Sequence, residues 1–167
     1  YLQNTTGYIV GKASEQAGMI KHGAKMIQAV ANATVPQITL HIGASFGAGN
    51  YGMCGRAYGP RFAFSWPNAK TAVMGGEQAA MTMRLVMEAK MKRGGGEVDT
   101  TQLDALEKQI IDTFDRQSSA FYTSGRLLDD GIIDPRDTRK VLAWVLSICR
   151  EADARALRPV QFAVARH

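Results

Sequence analysis

Apolar residues at Ile20, Ala24, Ile27 and Ala31 recur at the three- and four-residue steps of one helix face, and Ser14 stands ahead of them as a cap. The pattern predicts a helix over about 14–33. Past Pro36, the run Ile38-Thr39-Leu40-His41-Ile42 is short, continuous and β-leaning, which predicts a buried strand over about 37–42. A glycine-dense turn follows and opens a short helix over about 47–56. Phe62-Ala63-Phe64-Ser65-Trp66 and Lys70-Thr71-Ala72-Val73-Met74, parted by Pro67-Asn68-Ala69, predict two further strands. The second runs into Gly75-Gly76-Glu77-Gln78, where a helix begins. That helix carries Met81, Met83, Met87 and Met91, a stripe read as adaptable core ahead of a pocket for irregular apolar substrate, and it ends at Gly94-Gly95-Gly96. Leu103, Leu106, Ile110 and Phe114 predict a helix over about 101–116. Asp134 as cap and Pro135 at the first helical position start a last helix bearing Leu142, Val145, Leu146 and Cys149. The tail 158–167 reads as a docking arm, and Tyr1-Leu2-Gln3-Asn4 as the exit of a strand already under way in a longer polypeptide. The element order predicts one α/β domain, layered, with glycine turns at strand exits.

Composition adds limits. A chain of 167 residues with 46% hydrophobic and 21% charged residues fits a globular domain. No apolar run approaches the roughly 18 residues of a membrane span. The net charge of +5 is spread along helices among acidic neighbours, which argues against a nucleic-acid partner. Cys54 and Cys149 lie far apart without a CxxC pair, so they read as buried thiols, and His22, His41 and His167 share no ligand spacing. No metal site is expected.

The chemistry is expected in the segment Gly43 to Gly55, where five glycines follow a strand and lead into a helix. Such a turn presents backbone N–H groups to an anion and favours positive φ or close approach of a ligand. Gly47-Ala48-Gly49-Asn50-Tyr51-Gly52 also fits G-x-G-x-x-G, the dinucleotide motif. The acidic residue that should hold the ribose is missing, because residues 51–70 contain no Asp or Glu. A nicotinamide-dependent oxidoreductase stays as the alternative from another class. Gly43-Ala44-Ser45-Phe46-Gly47 fits G-x-S-x-G, but a hydrolase needs a downstream acid and then a His, and His167 is the sole histidine after Ser45. Asp129 and Asp130 precede a glycine and read as loop or cap residues before general acid/base groups. What remains is a site of backbone donors that steadies an enolate or ureido oxygen, or a tight corner in an interaction module without chemistry.

Several runs in fixed order carry a family likeness: Thr6-Gly7-Tyr8-Ile9-Val10-Gly11, His22-Gly23-Ala24-Lys25-Met26, the stretch from Ser45 to Arg56, Pro60-Arg61-Phe62, Trp66-Pro67-Asn68-Ala69, the stretch from Val73 to Ala80, and the stretch from Asp129 to Pro135. Together they resemble the C-terminal part of the carboxyltransferase β subunit of biotin-dependent acyl-CoA carboxylases, in the geranyl-CoA and 3-methylcrotonyl-CoA branch. The likeness spans nearly the whole chain. Met87 to Gln102 matches no motif of the family and is assigned no role.

The resemblance implies a crotonase-type β-β-α superhelical fold, with residues 1–167 as a partial C-terminal carboxyltransferase domain and the N-terminal acyl-CoA-binding domain absent. It implies that the Ala48 and Gly49 amides hold the biotin ureido oxygen while Gly47 shapes the turn, and that Thr6, Gly7, Tyr8, Phe46, Met74, Gly75 and Gly76 line the cofactor cleft. Carboxybiotin, carried on a partner subunit, would release carbon dioxide there. Its freed nitrogen would take a γ-proton from a 3-methyl-2-enoyl coenzyme A thioester, and the dienolate would attack the carbon dioxide. The implied partners are a biotin carboxylase and biotin carrier α subunit and further β subunits, with the site at a β–β interface. Geranyl-CoA is placed ahead of 3-methylcrotonyl-CoA as substrate, and a bacterial cytoplasm ahead of the mitochondrial matrix.

Overall fold

Four strands, β1 (Leu2–Thr5), β2 (Ile38–Phe46), β3 (Phe62–Ser65) and β4 (Lys70–Ala72), pair in parallel with β2 at the centre. The computed structural model describes residues 1–94 and 100–156; residues 1–135 form one unit and those from 136 onward a second. β1 follows β2 from Leu2↔Leu40 to Thr5↔Ser45, with a register jump between Gln3 and Thr5. The first half of β2 pairs with β3 from Ile38↔Phe62 to His41↔Ser65, and its end pairs with β4 from Ala44↔Lys70 to Phe46↔Ala72. The strand expected to end at 42 therefore runs on to Phe46. Its glycine does not break it, because Asn4 Oδ1 accepts from the Ala44 N–H at 3.2 Å across the register jump and β4 takes up the end.

The helix expected over 14–33 is two helices, α1 (Lys12–Gln16) and α2 (Met19–Ala31), parted at Gly18 with φ +90°. Ser14 lies inside α1, whose N-cap is Gly11 at φ +129°. The inward face of α2 also differs from the apolar stripe: Gly23 and Val30 are buried, whereas Ile20, Ala24 and Ala31 are exposed. A Cβ at Gly23 would stand 2.3 Å from the Tyr8 ring, so the Tyr8 side chain takes the space that fixes which face turns inward. After β2, α3 (Gly47–Gly52) is shorter than expected and ends before Cys54, whose φ of +57° cannot continue a right-handed helix. A 3-10 turn, Arg56–Tyr58, leads to β3.

The helices α4 (Gly76–Arg93) and α5 (Thr100–Ser118) pack antiparallel. Their close approach depends on small residues: Ala79 and Ala80 are buried, and a Cβ at Gly76 would lie 3.2 Å from Phe114. Arg84 ties the pair farther along, donating at 2.6 Å to both Asp104 and Glu107. The carboxylates raise its pKa, Glu107 most of all. This arrangement corrects the methionine stripe: Met81 and Met83 are exposed, at 63% and 42%, and Met87 and Met91 are half-buried. The glycines expected to end α4 begin with Gly94, while 95 and 96 lie outside the described residues.

A helix not expected from sequence, α6 (Ala120–Gly125), starts at Ser119, whose Oγ accepts from the Tyr122 N–H. In the second unit α7 (Thr138–Ala154) buries Val145 and Cys149 and exposes Leu146. It begins later than Pro135, which instead opens a 3-10 turn, Pro135–Asp137. Cys54 and Cys149 are free thiols, both buried. The tail 158–167 lies outside the described residues. No helix among the described residues is long and apolar enough to cross a membrane.

Candidate functional site

At the end of β2 the chain turns through Gly47 with φ +51° and enters α3. A side chain there would be strained twice, by the left-handed backbone and by the Val73 carbonyl oxygen 2.8 Å from its Cβ. The first turn of any α-helix has no acceptor of its own for its leading amides, and in α3 those amides belong to Gly47, Ala48 and Gly49. Ala48 is exposed, whereas Gly49 is buried beneath the chain that leaves β1. A Cβ on Gly49 would stand 2.9 Å from the Thr5 side chain and 3.1 Å from Gly7 Cα. The loop Thr6-Gly7-Tyr8 is thereby brought over the turn that carries the amides.

Tyr8 does different work from its neighbours. Its ring fills the hollow at Gly23, its hydroxyl donates to Gly23 O at 3.5 Å, and that hydroxyl would lie 2.5 Å from a Cβ on Gly52. It wedges α2 against α3. The last glycine of the G-x-G-x-x-G run thus serves packing against Tyr8.

A cleft of about 380 Å³ opens beside the end of β2. Of the residues expected to line the site, Thr6, Phe46, Met74, Gly75 and Gly76 form its walls; Gly7, Tyr8, Gly47, Ala48 and Gly49 stand outside them. The opposite wall is Ile111, Phe114 and Asp115 of α5, which no sequence signal marked as part of a site. Gln78 braces the rim, its Oε1 accepting from the Gly75 N–H at 3.2 Å, and Lys70 donates to Asp115 at 2.8 Å across an exposed edge. Of the methionines, Met74 reaches this cleft and those of α4 do not.

Ser45, the serine of the G-x-S-x-G run, is fully buried. Its hydroxyl donates to Gln3 Oε1 and accepts from Asn50 Nδ2 at 2.8 Å. That serine is a structural hydroxyl beneath the turn. Among the described residues no group of three or more His, Cys, Asp or Glu side chains is placed to hold a metal.

A second buried polar chain joins β2, β3 and the loop after α6. Ser65 Oγ donates to Asp129 Oδ2 at 2.6 Å and lies 3.1 Å from His41 Nδ1. With the serine proton committed to the carboxylate, hydrogen-bond logic assigns the His41 proton to Nδ1. Its Nε2 is buried without a partner among the described residues. Asp129 Oδ1 also accepts from Gly131 N, and Asp130 Oδ2 accepts from Ala63 N at 2.7 Å, so both aspartates fasten a loop.

Burial lowers the His41 pKa, with Asp129 opposing. The unfolded chain therefore takes up this proton first, and stability should fall as pH drops through the ordinary histidine value of 6.5 toward the lower folded value. Urea midpoints at pH 7.5 and pH 5 should show that slope, and His41→Gln should flatten it; an unchanged slope would exclude His41 as its source.

Residues 1–161 match the carboxyl transferase domain family, and the chain belongs to it. It is 52% identical over 149 residues to the mitochondrial methylcrotonoyl-CoA carboxylase beta chain of Dictyostelium discoideum, covering 89% of this chain and 25% of that protein. It is 54% identical over 147 residues to a probable biotin-dependent acyl-coenzyme A carboxylase beta2 subunit of Mycobacterium tuberculosis, covering 88% and 28%. The structure superposes on the beta subunit of Pseudomonas aeruginosa geranyl-CoA carboxylase with TM-score 0.89 and 53% identity, over 100% of this chain and 31% of that one. The expected crotonase-like α/β fold is thereby established. The chain spans about a quarter of the length of these curated relatives.

Proposed function

We propose that residues 1–167 are the C-terminal carboxyltransferase domain of a β subunit that moves a carboxyl group from biotin, carried on a partner chain, to the γ carbon of a 3-methyl-2-enoyl-CoA. The observation that carries this reading is the turn at Gly47, which places an exposed Ala48 in the first turn of α3 beside the cleft. A ureido ring fits such a place: its oxygen needs donors, and the Ala48 and Gly49 amides can give them. When bound, biotin supplies the carboxyl group and a ureido nitrogen able to accept a proton. This chain's residues bind and orient: Gly47 sets the turn, the Thr6-Gly7 loop covers Gly49, and Phe46, Met74, Gly75 and Gly76 wall the cleft. Removing one such donor lowers rate on the order of a hundred- to a thousandfold. No titrating side chain of this domain is asked to act as base. The second face of the site, holding the CoA thioester, is assigned to the N-terminal domain of another β subunit.

Identities of 53% to the geranyl-CoA enzyme and 52% to the methylcrotonoyl-CoA enzyme are level. The exposed α4 methionines give no argument for a long acyl chain. We place geranyl-CoA first and 3-methylcrotonyl-CoA second. The full-length subunit, assembled with its biotin-carrying partner, should carboxylate one of the two with bicarbonate and ATP, and avidin should block it. Loss of neither substrate under those conditions, together with saturable NAD binding, would replace this reading with the oxidoreductase.

A further inference from the structure

We propose that Gln3 is a positioning residue for the carboxyltransferase site, a buried clamp that holds the segment 45–53 from below and so sets where the Ala48 and Gly49 amides stand. The proposal rests on the functional reading above. Gln3 is wholly buried, on the strand next to β2 and immediately before the β1/β2 register jump. Its side-chain oxygen accepts from Ser45 Oγ and, at 3.4 Å, from Asn50 Nδ2; its nitrogen donates to Met53 O at 2.7 Å. Asn50 closes the ring by donating to Ser45 Oγ at 2.8 Å.

These partners are not scattered. Ser45 lies two residues before Gly47, Asn50 directly follows Gly49, and Met53 is the C-cap of α3. One side chain on a neighbouring strand thus grips the residues before, within and after the helix that presents the amides. On its far side the Asn50 side chain fills the space that a Cβ on Gly55 would need. Thr39 adds a parallel anchor by donating to Cys54 O at 2.6 Å.

The chemistry asks for glutamine. Two donors need an acceptor and one carbonyl needs a donor, and the amide alone among side chains of this length offers both without charge. Methionine would fill the space but take the acceptor from the Ser45 hydroxyl and the donor from the Met53 carbonyl, leaving only the Asn50–Ser45 bond of the ring. Glutamate would turn a second oxygen toward the Met53 carbonyl. A helix of six residues has little internal rigidity, so its placement depends on such outside bonds.

The test compares wild type with Gln3→Met in the full-length subunit assembled with its biotin-carrying partner, by amide hydrogen exchange and by steady-state carboxylation. Exchange within residues 45–54 should quicken about tenfold in the variant while other segments keep their rates, and kcat should fall about tenfold with KM for the acyl-CoA within twofold. Ser45→Ala should give the same pattern more weakly, and it replaces Gln3→Met if that variant does not assemble. Exchange that rises evenly over the whole chain, or transfer that stays at the wild-type rate, overturns the proposal. A wild-type complex without carboxyl transfer would instead sink the functional reading, and the two failures are distinguishable.

Discussion

Gly49→Val should cut carboxyl transfer by about a hundredfold or more while the subunit still assembles. The first Cβ atom already stands 2.9 Å from the Thr5 side chain and 3.1 Å from Gly7 Cα, and valine adds two methyl groups in the same direction. Thr5 is held in β1, and Gly7 is backbone, so neither can swing aside as the end of a flexible side chain would. The first turn of α3 or the Thr6-Gly7 loop has to give way, and either movement takes the Ala48 and Gly49 amides from the oxygen they are to hold. A single misplaced donor is enough for a loss of that size. Gly49→Ala should lie between the valine variant and wild type, because its contacts are tight and the pocket is partly adjustable. The checks are kcat on the assembled complex and native mass. Wild-type turnover in Gly49→Val, with native mass unchanged, would mean that these amides do not carry the reaction.

How much of this was legible beforehand varies with the kind of signal. The strand and glycine turn at 38–52 stood out because β-branched residues and glycines carry their backbone preferences openly, and Gly47 does adopt the positive φ that such density suggests. The glycine contacts were invisible in the pattern: Gly23 and Gly52 face Tyr8, and no apolar period reports a hollow made by the lack of a side chain. For the same reason the apolar stripe of α2 points to Ile20 and Ala24, whereas Gly23 and Val30 face inward. The α4 methionines mislead because apolar residues do not have to be inside; there, Ala79 and Ala80 are the buried positions and Gly76 lets α5 come close. The polar side chains of Gln3, Ser45, Asn50, His41, Ser65 and Asp129 come from five separate stretches. Their union is a product of strand register, above all Gln3↔His41 and His41↔Ser65, which sequence spacing does not encode.

That second cluster gives the larger stability effect. Asp129→Ala should lower stability by about 3 kcal/mol, read as a shift of the urea midpoint at pH 7.5, whereas Asp129→Asn should cost clearly less. Asp129 is 6% exposed and accepts from the Ser65 hydroxyl and the Gly131 N–H. Alanine takes the acceptor from the Gly131 N–H, breaks the link from Ser65 to the loop, and removes the carboxylate that raises the His41 pKa, so His41 stays neutral to still lower pH. Asparagine can keep its carbonyl toward Gly131 and turn its NH₂ toward Ser65. The serine proton is then free to point at His41 Nδ1, which moves the imidazole proton to Nε2. Every bond from Asp129 to His41 survives with its direction reversed, and what stays unmet is the same ring nitrogen that lacks a partner now. Equal losses in the two variants would show that the negative charge itself, rather than hydrogen-bond closure, holds β3 to the loop at 129–133.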